Sequence, residues 1–425
     1  MPAERPLQRD DKLGAQYGTG RLILQVIVWL PAAGLALLLL LLERRVGRAP
    51  QLRPLVSPSG SSQPAPGPIA PEAGLFLRVV IPAYNEAVNI TACIQAVLAS
   101  DDPGLPWQLL VIDDGSSDAT VALAREAIAA SDHALVLEAG PRPDGERWVG
   151  KNWAASRAAA HPWPEGSPEQ QWLLFIDADV RLQPGALAAA WNEARRESTD
   201  LLSLVPRLQC GCLAEWLVQP IVSALLGLVF PLQRTNDPSD PTAFAAGPFM
   251  LFRRDAYEAV GGHAAIADVV VEDLTLARRI KGSGRRLRYL VGAELLDLRM
   301  YRNLAALWEG WTKNWFLGLD RSLVRAFGSA ALVLVLFAGP WALALLAAWC
   351  SVVSARPLWW LILPAAAGIS LVASQRLWRW WRLGLRPRYW WLSWLGALLI
   401  AAIVPASIWK TSTGRGWTWR GRPLA

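Results

Sequence analysis

The chain has 425 residues, 53% of them hydrophobic, with 24 Trp and a formal net charge of +7. That length allows about two or three ordinary domains, and the positive mean hydropathy of +0.24 argues against a wholly water-soluble protein. The basic excess does not point to nucleic acid. Arginines gather beside apolar runs, at Arg44, Arg45 and Arg48 and again from Arg376 to Arg388, as juxtamembrane clusters do. Cys93, Cys210, Cys212 and Cys350 form neither a disulfide framework nor a zinc spacing, which suits a reducing, cytosol-facing compartment.

After a tail over residues 1–21, the run LILQVIVWLPAAGLALLLLLL at 22–42 is long enough to span a bilayer. No small-residue cleavage site precedes Glu43, so it reads as an anchor rather than a signal peptide. Residues 43–74 read as a linker, because PSGSSQPAPGPIAPEAG is too rich in Pro, Gly and Ser to pack. Strand and helix patterns then alternate over 75–320: LFLRVVIPAYNE, NITACIQAVLAS, WQLLVIDDGSSDAT, VALAREAIAAS, HALVLEAG, GKNWAASRAAA, QWLLFIDADV. Such alternation with continuously apolar strands predicts an α/β fold with a mostly parallel sheet and helices on both faces.

Within this block, 213–232 is apolar but broken by Pro220, and reads as an amphipathic helix in the membrane interface. Three apolar segments follow near 326–350, 357–374 and 389–409, the middle one short enough to be re-entrant, before a basic tail at 410–425. The Lys/Arg bias places 75–320 in the cytoplasm of a multi-pass inner-membrane protein. Three full C-terminal spans would then put Lys410, Arg415, Arg420 and Arg422 outside, against the same bias. The two expectations conflict.

In parallel sheets ligands bind beyond the carboxyl ends of the strands. Three polar clusters fall there: Pro82-Ala83-Tyr84-Asn85-Glu86, Asp113-Asp114-Gly115-Ser116 and Asp177-Ala178-Asp179. Neighbouring carboxylates repel, so the D-x-D pair calls for a compensating divalent cation, Mg²⁺ or Mn²⁺. Taken alone it reads as a strand end followed by a polar turn. Lys151, at a helix start in GKNWAAS, would favour an anion, although alone it reads as a surface lysine. No Walker-type phosphate loop and no G-x-G-x-x-G after a strand is present, which disfavours the usual kinases and dehydrogenases. Acids, a hard cation and a cationic helix start suit a nucleoside diphosphate.

The motifs VVIPAYNE, VIDDGSSD, GKNWAAS, FIDADV, AAGPFMLFRRDAYEAVGG and VVEDLTLARRIKGSG occur in the order of the inverting family 2 glycosyltransferases, and the chain resembles them over about 76–320. The resemblance implies a GT-A nucleotide-sugar-binding domain flanked by transmembrane helices. RMYRNLAALWEGWTKNWFLGL and the apolar flanks resemble the membrane subgroup that acts on lipids, hopanoid-associated and carotenoid enzymes above all. It further implies that Pro82, Ala83, Tyr84 and Glu86 line the nucleotide pocket, with Asp113 and Asp114 near base and ribose. Asp177 and Asp179 would meet metal and diphosphate, and Asp273, beside Glu272, would take the acceptor proton. Both acids equally suit the first turn of a helix on dipole grounds alone. The Q-x-x-R-W motif of processive members is missing among Arg299, Arg302, Trp308, Trp311, Lys313, Asn314 and Trp315, which favours a single transfer. These residues would hold diphosphate or acceptor, or form only an interfacial belt.

The expectation is a metal-dependent transfer of one sugar from a UDP- or GDP-sugar to a hydroxyl of a membrane lipid. The alternatives are a polyprenyl-phosphate acceptor or a non-catalytic membrane scaffold.

Overall fold

The computed structural model describes residues 9–54 and 73–423, so most of the expected linker lies outside the described residues. The chain enters through α1 (Arg9–Leu42) and a π-helical turn, Glu43–Gly47. The block then runs β1 (Phe76–Ala83), α2 (Ile90–Leu98), β2 (Trp107–Asp113), α3 (Thr120–Ile128), β3 (Ala134–Glu138), α4 (Asn152–Ala160), β4 (Gln171–Ile176), β5 (Val180–Leu182) and α5 (Ala186–Arg196). It continues with β6 (Leu201–Val205), β7 (Arg207–Leu208), α6 (Leu213–Val229), α7 (Leu232–Asn236), β8 (Phe249–Arg253), α8 (Arg254–Ala259) and α9 (Glu272–Gly282). β9 (Leu287–Val291), β10 (Leu296–Leu298) and α10 (Leu304–Gly318) complete it.

Among the described residues, seven strands form the main sheet in the order β3-β2-β1-β4-β8-β6-β9. β1 pairs in parallel with β2 and β4, β2 with β3, and β6 with β9; β8 runs antiparallel between β4 and β6. All six residues of β4 are buried, as a central strand covered on both faces requires. Ile94, Val97 and Trp191 pack one face, from α2 and α5; Ala154, Ala155 and Leu276 pack the other, from α4 and α9. Arg78 lies fully buried within β1. Its guanidinium donates to the carbonyls of Ala158 (3.2 Å), His161 (2.9 Å) and Pro162 (2.7 Å) and stacks on Trp163.

Residues 50–52, expected as linker, pair with the sheet instead. Val291 N donates to Pro50 O at 3.1 Å and Leu52 N to Val291 O at 2.9 Å, which occupies backbone groups that the edge strand β9 would leave bare.

The C-terminal region comprises α11 (Leu323–Val333), a π-helical turn, α12 (Gly339–Val353), α13 (Trp359–Leu383) and α14 (Ser393–Thr413). Among the described residues, four helical stretches are long and apolar enough to cross a membrane: Leu22–Gly47, Leu323–Val353, Trp359–Leu383 and Trp390–Thr413. The third is no short re-entrant piece. Arg376, Arg379 and Arg382, expected in a loop, belong to its 25-residue helix. Nor do Arg376 and Arg379 face lipid headgroups, for both are buried. Pro220 has no N–H to give Trp216 O, and Arg376 Nη1 supplies one at 3.4 Å, while its Nη2 donates to Ser393 Oγ at 3.1 Å. Arg379 Nη1 donates to Ser223 Oγ.

α6 is therefore sandwiched rather than spread on an interface. α14 crosses it so closely that a Cβ at Gly396 would stand 2.2 Å from Leu217 O. Both ends of α14 are tied in: Ser393 Oγ accepts from Arg376 of α13, which itself reaches Trp216 O of α6, and Lys410 Nζ donates to Thr312 Oγ1 of α10 at 3.1 Å. The tail after it, with β11 (Thr418–Trp419) and β12 (Arg422–Pro423), returns to the block. The tail thus lies beside the α/β block, although three apolar segments precede it.

Candidate active site

β1, β2 and β4 run parallel, so the loops leaving them meet at one edge of the sheet. The first two are stitched together. Asn85 N donates to Ser116 Oγ (2.9 Å), Glu86 N to Thr120 Oγ1 (2.7 Å), and Ser117 N to Asn85 Oδ1 (2.9 Å). Asp113 Oδ2 accepts from Gly115 N and Ser116 N, both at 3.0 Å, a turn for which Gly115 supplies a φ of 78°. Its Oδ1 is buried without a hydrogen-bond partner. Asp114 N is anchored on Ala83 O at 2.8 Å, and the Asp114 carboxylate meets Arg142 at 2.6 Å.

One cavity of about 1270 Å³ opens beside these loops. Pro82, Glu86, Lys151, Asp177, Asp179, Glu272 and Asp273 all line it, so most of the expected site is gathered in one place. Tyr84, Ala83, Asp113 and Asp114 stand next to it rather than in its wall. Lys151, one residue before α4, ion-pairs with Asp177 and, at 3.0 Å, with Glu272. The surface-lysine reading of Lys151 therefore fails, because its ammonium bridges two of the expected site motifs. Burial opposes its charge, but Asp177 and Glu272 outweigh burial and hold it well above the usual lysine range.

The electrostatics sort the acids. Burial, then Asp177 and Glu86, push Asp179 up to about 8. Its Oδ1 is buried with no hydrogen-bond partner. An orphaned, acid-flanked carboxylate oxygen fits a divalent cation. Among the described residues no three acidic, His or Cys side chains gather as a ligand set, so a cation here would draw further ligands from a bound diphosphate. Asp273 is pushed up to about 6, by burial and then by Glu272. Its Oδ1 accepts from Leu274 N at 2.7 Å and its Oδ2 from Gly247 N at 3.0 Å, which aims the carboxylate. A Cβ at position 247 would stand 3.0 Å from Oδ2, so Gly247 permits the approach. For Glu272 burial is outweighed by Lys151 and Lys313, which hold it below the usual range.

Away from the acids the same cavity turns apolar. Val222, Leu225, Leu226, Val229 and Phe230 from α6 and beyond, with Trp315 and Leu332, form its far walls. Leu226, Val229 and Leu332 are exposed, so this end opens onto the apolar exterior between α6 and α11. Trp311, Lys313, Asn314 and Arg302 also line the cavity, which makes the α10 aromatic stretch part of the site and more than a belt. Two cationic residues escaped sequence reasoning as site members. Arg420 pairs with Glu86 at 2.5 Å and Arg422 with Asp114 at 2.5 Å. The only signal was a basic tail whose predicted side of the membrane made no sense.

Residues 78–261 match the family described as Glycosyl transferase family 2. The 4,4'-diaponeurosporenoate glycosyltransferase of Staphylococcus aureus (strain MRSA252) is 28% identical over 269 residues, 61% of this chain and 66% of that protein. Its counterpart in strain NCTC 8325 is 27% identical over the same length. The chain thus spans slightly less than two thirds of these curated relatives. Among solved structures, a mannosyltransferase from Pyrobaculum calidifontis, in complex with GDP-Man and Mn²⁺, is 18% identical with a TM-score of 0.54. The likeness covers 92% of this chain and 99% of that one, so the shared fold extends beyond the sheet into the helical region. The mostly parallel α/β sheet has the fold of that glycosyltransferase, and residues 78–261 resemble a glycosyl transferase family 2 domain.

Proposed function

We propose that this protein transfers one sugar from a UDP- or GDP-sugar to a hydroxyl of a membrane lipid, with inversion, on the cytoplasmic face of the inner membrane. One observation carries the reading: a single cavity joins the Lys151–Asp177–Asp179–Asp273 cluster to an apolar cleft that opens between α6 and α11. A soluble acceptor has no need of such a cleft. The relatives are named for transfer to a carotenoid acid, which is in keeping with an apolar acceptor.

The donor's nucleoside would lie against Tyr84, Asp113 and Asp114, and its diphosphate near Asp177, Asp179 and Lys151. Asp177 and Asp179 would hold Mg²⁺ or Mn²⁺, which when bound offsets the charge of the departing diphosphate. Asp273 would accept the acceptor's hydroxyl proton as that oxygen bonds to the anomeric carbon. The bond from that carbon to the diphosphate oxygen breaks on the opposite side, and its electron pair leaves with the nucleoside diphosphate. The acids and Lys151 bind and orient, while the apolar walls keep water from competing with the acceptor. A cytoplasmic α/β block has its tail on the same side, which satisfies the bias of Lys410, Arg415, Arg420 and Arg422 if α14 lies against the block rather than crossing.

The test fills the cleft without touching the acids. Leu225→Trp should lower transfer to lipid by about tenfold or more while leaving slow donor hydrolysis in place. Equal loss of both activities, or of neither, contradicts an acceptor cleft at this place.

A further inference from the structure

The C-terminal hairpin has no role so far, yet it makes tight contacts at the donor loops. Its turn, Arg420-Gly421, has positive φ at both residues (50° and 80°), as two-residue hairpin turns of type I′ require. Trp417 is buried beside Val149, and Thr418 Oγ1 donates to Glu309 Oε1 at 2.7 Å, so the hairpin's base is anchored. Beyond it, Arg420 Nη1 donates to Asn85 O at 2.7 Å and its Nη2 pairs with Glu86. Arg422 Nη1 takes Asp114 Oδ2, its Nη2 takes Asp114 O at 2.8 Å, and its Cζ lies 3.8 Å from the centroid of the Tyr84 ring.

We infer that this hairpin is a removable plug in the nucleoside half of the donor pocket. Arg422 spends its donors and its flat face on the carbonyl, carboxylate and ring that the proposed nucleoside would use. Both cannot occupy them at once, so donor entry and hairpin release are coupled. The inference rests on the donor site proposed above. Among the described residues two pairs join the hairpin's strands, so opening it disrupts little backbone pairing. A closed fraction of about nine in ten would weaken apparent donor affinity about tenfold, because only the open form binds.

The test uses the full chain in lipid nanodiscs with Mn²⁺, titrated with UDP and with GDP. Arg422→Ala should bind the preferred diphosphate about tenfold more tightly than the unaltered chain. Hydrogen exchange on the unaltered chain supplies a readout independent of any variant: nucleotide should speed exchange across residues 417–423. Weaker binding by Arg422→Ala, with slowed tail exchange on nucleotide addition, overturns the plug and makes the hairpin a clamp on the donor. Equal binding with no tail response overturns the plug while leaving the donor site standing. No binding of either nucleotide by either protein overturns both.

Discussion

Asp273→Asn removes the proposed proton acceptor while keeping the side chain's size. Burial and Glu272 push Asp273 up to about 6, above its ordinary 3.8. A base with that value is about nine-tenths ionised at pH 7 and about one-tenth at pH 5. The working form is lost as pH falls through about 6, so transfer should drop roughly tenfold between pH 7 and pH 5 and level off above pH 7. The amide cannot take the proton, and general-base catalysis is worth about 10²–10⁴ in rate. A loss of about 10³, or roughly 4 kcal/mol of transition-state stabilisation, is expected. The assay follows label into lipid at saturating donor across this range, for the unaltered chain and the variant. The acidic limb should vanish with the carboxylate. The variant also turns an amide N–H toward one of the backbone donors, Leu274 N or Gly247 N, so melting temperature is measured in parallel. A variant that keeps more than about a tenth of the rate, or keeps the limb, refutes the role. If Asp177→Asn is then far more damaging, the acceptor is a phosphate such as a polyprenyl phosphate, which needs less help from a base.

Two other substitutions separate chemistry from folding. Asp179 is raised from 3.8 to about 8, so its ionised form is disfavoured in the fold and stability declines as pH rises through that window. Asp179→Asn should therefore raise the melting temperature at pH 8 while lowering Mn²⁺-supported transfer at least about a hundredfold; a variant active without loss contradicts its place in the metal site. Arg78→Met removes the guanidinium that holds the carbonyls of Ala158, His161 and Pro162, a loss of about 2 kcal/mol that should lower the melting temperature by about 6 °C. An unchanged melting temperature would show that those bonds contribute nothing net.

The sheet and its acidic edge were legible in the sequence for a physical reason. A parallel α/β unit writes each strand as a continuous apolar run and each ligand loop as the polar residues just after it. Ile176 followed by Asp177 is such a junction, and the same rule located Asp113 and Glu86. Asp273 needed the family resemblance, because an acid in a helix's first turn has a local explanation of its own. Lys151 was ambiguous for the opposite reason: its partners are 26 residues away in Asp177 and further off in Glu272.

What stayed hidden depended on contacts without a local pattern. Arg422 reaches Asp114 across 308 residues, and nothing in its neighbourhood announces that meeting. Arg376 and Arg379 look like headgroup-facing charges until Pro220 is seen to leave a carbonyl open on the neighbouring helix. Charge-bias rules assume that long apolar helices cross. α14 presses its Gly396, Ile400 and Ile403 against α6 and α10, while Trp394, Leu398 and Trp409 stay exposed on its other side.

Lipid glycosylation by this chain can be measured in membranes containing the protein. They are supplied with Mn²⁺ or Mg²⁺ and a panel of radiolabelled UDP- and GDP-sugars, and the lipid fraction is then resolved by mass spectrometry. Label is expected in a lipid carrying one added sugar, and is lost when Asp273 is replaced by Asn. Label found only in soluble or polymeric product, with none in lipid, would contradict transfer to a membrane lipid.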